Sequence, residues 1–238
     1  MQSNQQAYDR GSSIFSPDGR LYQVEYAREA VRRGTGVVGV TTADSVVFAA
    51  SRETRSPLLD TDSIEKLHDI DGSYGIATAG HVADGRHLVD FGRRYAQQER
   101  LRYGEPPAVE PVAKALADYV QESTQTGGTR PFGVALLVAG VSSDGPQLYQ
   151  LDPSGTPTAW TATAIGSESD AIRTVLEDEY EPALDGTAGA RLALRALARG
   201  KAPTADGIEV AFMREDGFES LDREQREHLL AETEFSAS

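Results

Sequence analysis

The chain has 238 residues, 39% of them hydrophobic and 25% charged, and no apolar run approaches the ~20 residues that a membrane helix needs. Cysteine is absent, which excludes disulfides, thiolate metal sites and cysteine nucleophiles and suits a reducing, cytoplasmic setting. The formal charge is −14, from 37 acidic against 23 basic residues, so neither an electrostatic nucleic-acid face nor a membrane partner is expected.

Arginine supplies 20 of the 23 basic groups, because Lys66, Lys114 and Lys201 are the only lysines. An acidic, lysine-poor surface suits concentrated salt, where the Debye length falls to ~3 Å at 1 M and self-repulsion is screened. A GC-rich genome also favours arginine and alanine, but it does not account for −14. The start, Met1-Gln-Ser-Asn-Gln-Gln, has neither a basic region nor an apolar core, so no signal peptide is expected.

Residues 1–16 read as a polar, flexible arm, followed by a turn signal at Ser16-Pro-Asp-Gly19. Leu21, Val24, Arg28 and Val31 then fall at helical spacing with Ala27 and Ala30 beside them, which predicts a helix over 20–32 stopped by Gly34. The period changes at Val37: residues 37–40 and 45–50 form two short β-rich runs around Thr42-Ala-Asp44. A second pair, 64–70 and 73–79, flanks Asp71-Gly72. Helical patterns follow over 81–101, with Leu88, Phe91 and Tyr95 on one face, and over 110–124, with Val112, Leu116, Tyr119 and Val120.

Phe132 to Val141 is continuously apolar, as a strand buried on both faces would be. Shorter runs cover 147–151 and 158–165. Ser167-Glu-Ser-Asp170 reads as the start of a third internal helix, and Thr187 opens a fourth, ended by Gly200 and Pro203. Ile208, Val210 and Phe212 alternate as a strand, and Asp222 with Gln225 forms a capping-box pattern for a last helix. Blocks of strands followed by blocks of helices predict an α+β fold, or two sheets covered by helices, rather than βαβ alternation.

Gly34-Thr-Gly36-Val-Val-Gly39 matches G-x-G-x-x-G, but a helix precedes it and a strand follows. Pyrophosphate binding needs the reverse order, so the dinucleotide reading is discarded. His68, His81, His87 and His228 show no metal-ligand spacing, and no G-x-S-x-G occurs, so no cofactor or metal is expected.

The N-terminal third carries a more specific pattern. Tyr8-Asp-Arg10, followed by Phe15-Ser-Pro-Asp-Gly-Arg-Leu-Tyr-Gln-Val-Glu-Tyr-Ala-Arg-Glu-Ala-Val31, resembles the signature of proteasome α-type subunits. Ser63-Ile-Glu-Lys-Leu67, Arg130-Pro-Phe-Gly-Val134 and Leu192-Ala-Leu-Arg-Ala-Leu-Ala-Arg-Gly200 extend the resemblance over nearly the whole chain, and with the acidic surface it is most similar to haloarchaeal subunits. It implies one domain over 1–238, a four-layer αββα sandwich of the N-terminal nucleophile hydrolase type. It also implies a seven-membered ring of α-subunits that caps inner rings of catalytic β-subunits.

In that family the β-subunits use an N-terminal threonine, a lysine about thirty residues on and an orienting carboxylate. Thr35 stands at the threonine's place and Lys66, 31 residues later, at the lysine's, so a catalytic subunit matured at Gly34-Thr35 is the alternative reading. Against it, the 34 preceding residues contain a well-patterned helix, and Ser51 takes the carboxylate's place. No catalytic residue is therefore expected, and a non-catalytic subunit of a threonine endopeptidase complex is favoured over both that enzyme and a free-standing ring scaffold.

The resemblance also implies two sites. Tyr8, Asp9, Arg10, Pro17 and Tyr26 match a gate cluster, in which Tyr8 and Asp9 of one chain pack with Pro17 and Tyr26 of its neighbour. Lys66 and Gly80 match a pocket that receives the C-terminal carboxylate of a regulatory AAA ATPase. The plainer readings are a turn proline, a core tyrosine, and an exposed salt bridge from Lys66 to Glu65 or Asp62. His81 stands beside Gly80, where many relatives carry an apolar residue.

Overall fold

The computed structural model describes residues 15–54, 56, 58–198 and 202–235. Ser16 to Gly19 make the expected turn: Gly19 N–H donates to the Ser16 carbonyl at 2.8 Å, and Arg20 N–H to Ser16 Oγ at 3.1 Å. Helix α1 (Tyr22–Arg32) follows and buries Val24, Ala27 and Val31. Strands β1 (Val37–Thr41) and β2 (Val46–Ser51) form a hairpin in register Val37 to Ala50. A short 3-10 turn, Thr61–Ser63, leads to β3 (Leu67–Ile70) and β4 (Tyr74–Gly80).

Helices α2 (Val82–Tyr103) and α3 (Val109–Gln125) come next, then β5 (Val134–Ser142), β6 (Gly145–Leu151), β7 (Pro157–Ala159) and β8 (Ala162–Ile165). Helices α4 (Ser169–Glu179) and α5 (Gly186–Ala198), strands β9 (Ile208–Arg214) and β10 (Gly217–Ser220), and helix α6 (Arg223–Ala231) complete the order. The strands form two antiparallel five-stranded sheets, ordered β10-β9-β2-β1-β8 and β3-β4-β5-β6-β7.

Strand alternation explains the layering. Val38, Val40, Val47 and Ala49 point to α4 and α5, whereas Val37, Phe48 and Ala50 point into the layer between the sheets. Ile76, Leu136 and Val138 face Leu88, Val112 and Leu116 of α2 and α3, while Ala77, Leu137 and Ala139 meet the first sheet. Both faces of each sheet are therefore buried, and the result is a four-layer αββα sandwich. Close sheet packing requires Gly75: a Cβ there would lie 2.4 Å from Met213 Sδ.

Three sequence expectations are corrected. The run over 158–165 is not one strand. It splits at Trp160-Thr161, where Trp160 N–H donates to Leu148 O in one sheet and Thr161 O accepts from Thr41 N–H in the other. The chain thus switches sheets at that dipeptide. Helix α4 begins at Ser169, within the expected start, but Glu168 and not Ser167 is its N-cap, in the left-handed region (φ 57°) and with no side-chain cap bond. Strand β10 was not expected, because Gly-Phe-Glu-Ser at a sheet edge carries no apolar alternation. The Asp222–Gln225 capping box forms as the pattern predicts.

Candidate functional site

The segment between α1 and β1 brings Gly34 and Thr35 against the end of β2 and the start of β3. Lys66, just before β3, is 8% exposed. Its ammonium is turned inward: Nζ donates to the Thr35 carbonyl at 2.6 Å, to Thr35 Oγ1 at 2.7 Å and to the Ser51 carbonyl at 3.4 Å. Thr35 Oγ1 in turn donates to the Ser51 carbonyl at 2.7 Å. The plain salt-bridge expectation fails, because Asp62 pairs with Arg52 at 3.2 Å and Glu65 faces His68 at 3.5 Å. Among the described residues no carboxylate pairs with this ammonium, and its partners are neutral oxygens.

That setting perturbs the lysine. Burial lowers its pKa to about 7, against the opposing field of Glu209. Burial also lowers the pKa of His68, against Glu65 and Glu209.

Two buried carboxylates hold the site from opposite sides. Strand β9 points Ala211 and Met213 between the sheets, and the same parity carries Glu209 inward, where it is 4% exposed. Its carboxylate accepts from Arg52 Nε at 2.6 Å, from Lys66 N–H at 3.1 Å and from Leu67 N–H at 2.9 Å. Glu209 thus fixes the backbone of Lys66 while leaving its ammonium unpaired. On the other side Asp84 accepts two bonds from Arg130, both 2.7 Å, and one from Gly133 N–H at 2.8 Å. Burial alone would raise the Asp84 carboxyl, but Arg130 and the Gly133 N–H hold it below its ordinary value.

Gly80 ends β4 with φ 123°, and a Cβ there would lie 2.3 Å from the Gly133 carbonyl. A Cβ on Gly34 would in turn lie 2.5 Å from Gly80 N. The close backbone approach that selects glycine at 80 is therefore met within this chain, by Gly133 and Gly34. Lys66 and Gly80 line one cavity of about 390 Å³, together with Thr35, His68, Thr78 and His81. A second cavity of about 270 Å³ lies on the other side of Thr35, lined also by Ser51, Ser167 and Ile172. His81 N–H donates to Gly133 O at 2.8 Å, so this residue is tied into the same wall.

Pro17 sits in the exposed turn before α1, and Tyr26 on that helix is 54% exposed, so Tyr26 is not a core tyrosine. Tyr8, Asp9 and Arg10 lie outside the described residues. Among the described residues no cluster of histidine and carboxylate groups could hold a metal ion, and no helix is long and apolar enough to cross a membrane.

Residues 31–213 match the family model described as proteasome subunit, and residues 8–30 match the N-terminal signature of A-type proteasome subunits. The chain belongs to the proteasome subunit family. It is 55% identical to the proteasome alpha 2 subunit of Haloarcula marismortui, with 98% of each chain covered. It is 52% identical to the proteasome alpha subunit of Natronomonas pharaonis, covering 97% of this chain and 92% of that one. Identity to the proteasome alpha subunit of Halobacterium salinarum is 55%, over 90% of this chain and 86% of that one. The resemblance to haloarchaeal α-type subunits seen in residues 8–31 therefore holds.

Glu209 and Asp84, with their partners Arg52 and Arg130, escaped the sequence reading. For Glu209 a signal existed: it is the one acidic residue in an apolar strand and shares parity with Ala211 and Met213.

Proposed function

We propose that this chain is a non-catalytic α-type subunit of a cytoplasmic archaeal proteasome core. It forms the seven-membered outer ring, with other α-subunits as lateral neighbours and β-subunits below. The N-terminal segment gates substrate entry through Tyr8, Asp9, Arg10, Pro17 and Tyr26. The cavity at Lys66 and Gly80 docks the C-terminal carboxylate of a regulatory AAA ATPase. The observation that carries this reading is the state of Lys66: an ammonium at the wall of a cavity with no carboxylate partner among the described residues. An arriving chain terminus supplies the missing counter-charge, and the lysine regains a proton as it binds.

The same geometry speaks against the enzyme reading. Thr35 lies 2.7 Å from Lys66 Nζ, as a nucleophile and base would, but freeing its amine would remove helix α1, which buries Val24, Ala27 and Val31. Among the described residues no carboxylate orients the lysine, because Glu209 binds its backbone instead.

Replacing Lys66→Ala tests the docking. Stimulation of the assembled particle by an activator C-terminal peptide should weaken roughly 10- to 150-fold in affinity, the equivalent of ~1.5–3 kcal/mol for a charged hydrogen bond. Ring assembly should persist. Unchanged stimulation would remove Lys66 from the docking site. An intact mass beginning at Thr35 in the assembled particle would favour the enzyme reading instead.

A further inference from the structure

The chain's described lysines differ in kind. Lys114 is exposed, sits 2.6 Å from Glu110, and has its pKa raised by that hydrogen bond and charge. Lys66 has no carboxylate at its ammonium among the described residues, donates to neutral oxygens and lines a cavity of about 390 Å³. That volume lies within the range of small-molecule sites.

We propose that Lys66 is a covalent acylation site, whose amine takes the acyl group of a small donor of the acyl phosphate class that enters this cavity. The lone pair of Nζ attacks the acyl carbon, the bond from that carbon to the phosphate oxygen breaks, and phosphate leaves with the bonding electrons. The proton lost from nitrogen goes to solvent, and the product is a neutral amide; no electron acceptor is needed.

Three features support this chemistry. A desolvated lysine is a nucleophile at neutral pH, because half of it is free amine near pH 7, given its lowered pKa of about 7. The charged groups around it do not restore the proton: Glu209 of β9 spends its oxygens on Arg52 and on the backbone of Lys66 and Leu67. Of the other groups on the cavity wall, Glu65 faces His68 and His81 faces Asp84 at 3.5 Å, while the guanidinium of Arg86 suits an anionic donor; Glu53 completes the set. Acylation would also delete the charge that docking uses; that consequence, unlike the acylation, rests on the function proposed above.

Acetyl phosphate tests the proposal. The assembled particle in concentrated KCl is treated with it across a pH series, and acetyl occupancy at Lys66 and Lys114 is read by peptide mass mapping. At pH 7.5 about three-quarters of Lys66 but only about a thousandth of an ordinary lysine is free amine. Discounted for the weaker nucleophilicity of a less basic amine, Lys66 should acetylate roughly 20-fold faster. Its rate should level off above pH ~8, whereas that of Lys114 should climb towards pH ~10. In denaturant the two rates should converge, which shows that the fold creates the difference. A Lys66 rate no greater than that of Lys114, or one that still rises tenfold per unit at pH 9, would overturn the proposal. Because the readout is mass and not stimulation, this failure is distinct from a failure of the docking reading.

Discussion

Replacing Lys66 by methionine should stabilise the protein at neutral pH and lose that advantage in alkali. The unfolded chain keeps the lysine proton up to ~10.4, whereas the folded chain releases it near pH 7. Between those values the unfolded state binds more protons, so this group's contribution to stability rises with pH. Integrated, the buried ammonium costs on the order of 4 kcal/mol at pH 7 and about 1 kcal/mol at pH 10. Methionine removes that cost but also the bonds to Thr35 and Ser51, worth roughly 1 kcal/mol each net. The variant should therefore gain about 1–2 kcal/mol at pH 7 and lose a comparable amount at pH 10. Scanning calorimetry of both proteins at one fixed, high salt concentration measures the difference, and the other titrating groups cancel between them. A difference between the two proteins that stays constant from pH 7 to 10 would refute the idea that Lys66 loses its proton on folding.

Glu209→Gln should destabilise the fold by about 2 kcal/mol, since it leaves the Arg52 guanidinium, 13% exposed, with only the exposed Asp62 as a charged partner; the melting temperature reads this directly. Deleting residues 2–12 should speed hydrolysis of long unstructured peptides by the reconstituted core and change tripeptide hydrolysis less; equal rates on long substrates would remove the gating role. Assemblies of this chain, at −14 per copy, should dissociate on dialysis to ~0.01 M salt, where the Debye length is ~30 Å, and re-form near 1 M; sedimentation across a salt series decides it.

A strand buried on both faces was legible as a continuous apolar run, residues 134–141 of β5, and the structure covers both its faces; the four-layer order came from the family resemblance. The helices were legible from their periodic apolar residues, as in α3 with Val112, Leu116 and Val120. What failed was decided by partners distant in sequence. The split at Trp160-Thr161 depends on Leu148 and Thr41, and Glu168 at the start of α4 takes a left-handed turn that brings Ser167 N–H to the Gly34 carbonyl at 2.7 Å. At the site, the resemblance to the family's β-subunits matched Thr35 and Lys66 to a threonine–lysine pair, and the structure sets the two side chains beside each other. The resemblance did not show that the ammonium would point inward, because that depends on Glu209, which lies 143 residues away and binds the Lys66 backbone.

The pairing of Thr35 with Lys66 shows how one geometry can serve a role other than catalysis. A base must accept the hydroxyl proton, yet here the Thr35 hydroxyl directs its hydrogen bond to the Ser51 carbonyl. A nucleophilic N-terminal threonine also needs a free amine, which here would require loss of helix α1 and of the packing of Val24, Ala27 and Val31. Those two differences turn the threonine into a polar cradle that keeps the lysine in place without neutralising it. An ammonium so placed is costly for the isolated fold, as the shift to about 7 records. A carboxylate that entered the cavity would reverse that cost, by giving the charge a partner and raising the pKa again. In the docking role proposed above, the destabilised lysine would favour binding of an anion over an empty pocket, which an ordinary surface lysine, already paired as Lys114 is with Glu110, would not do.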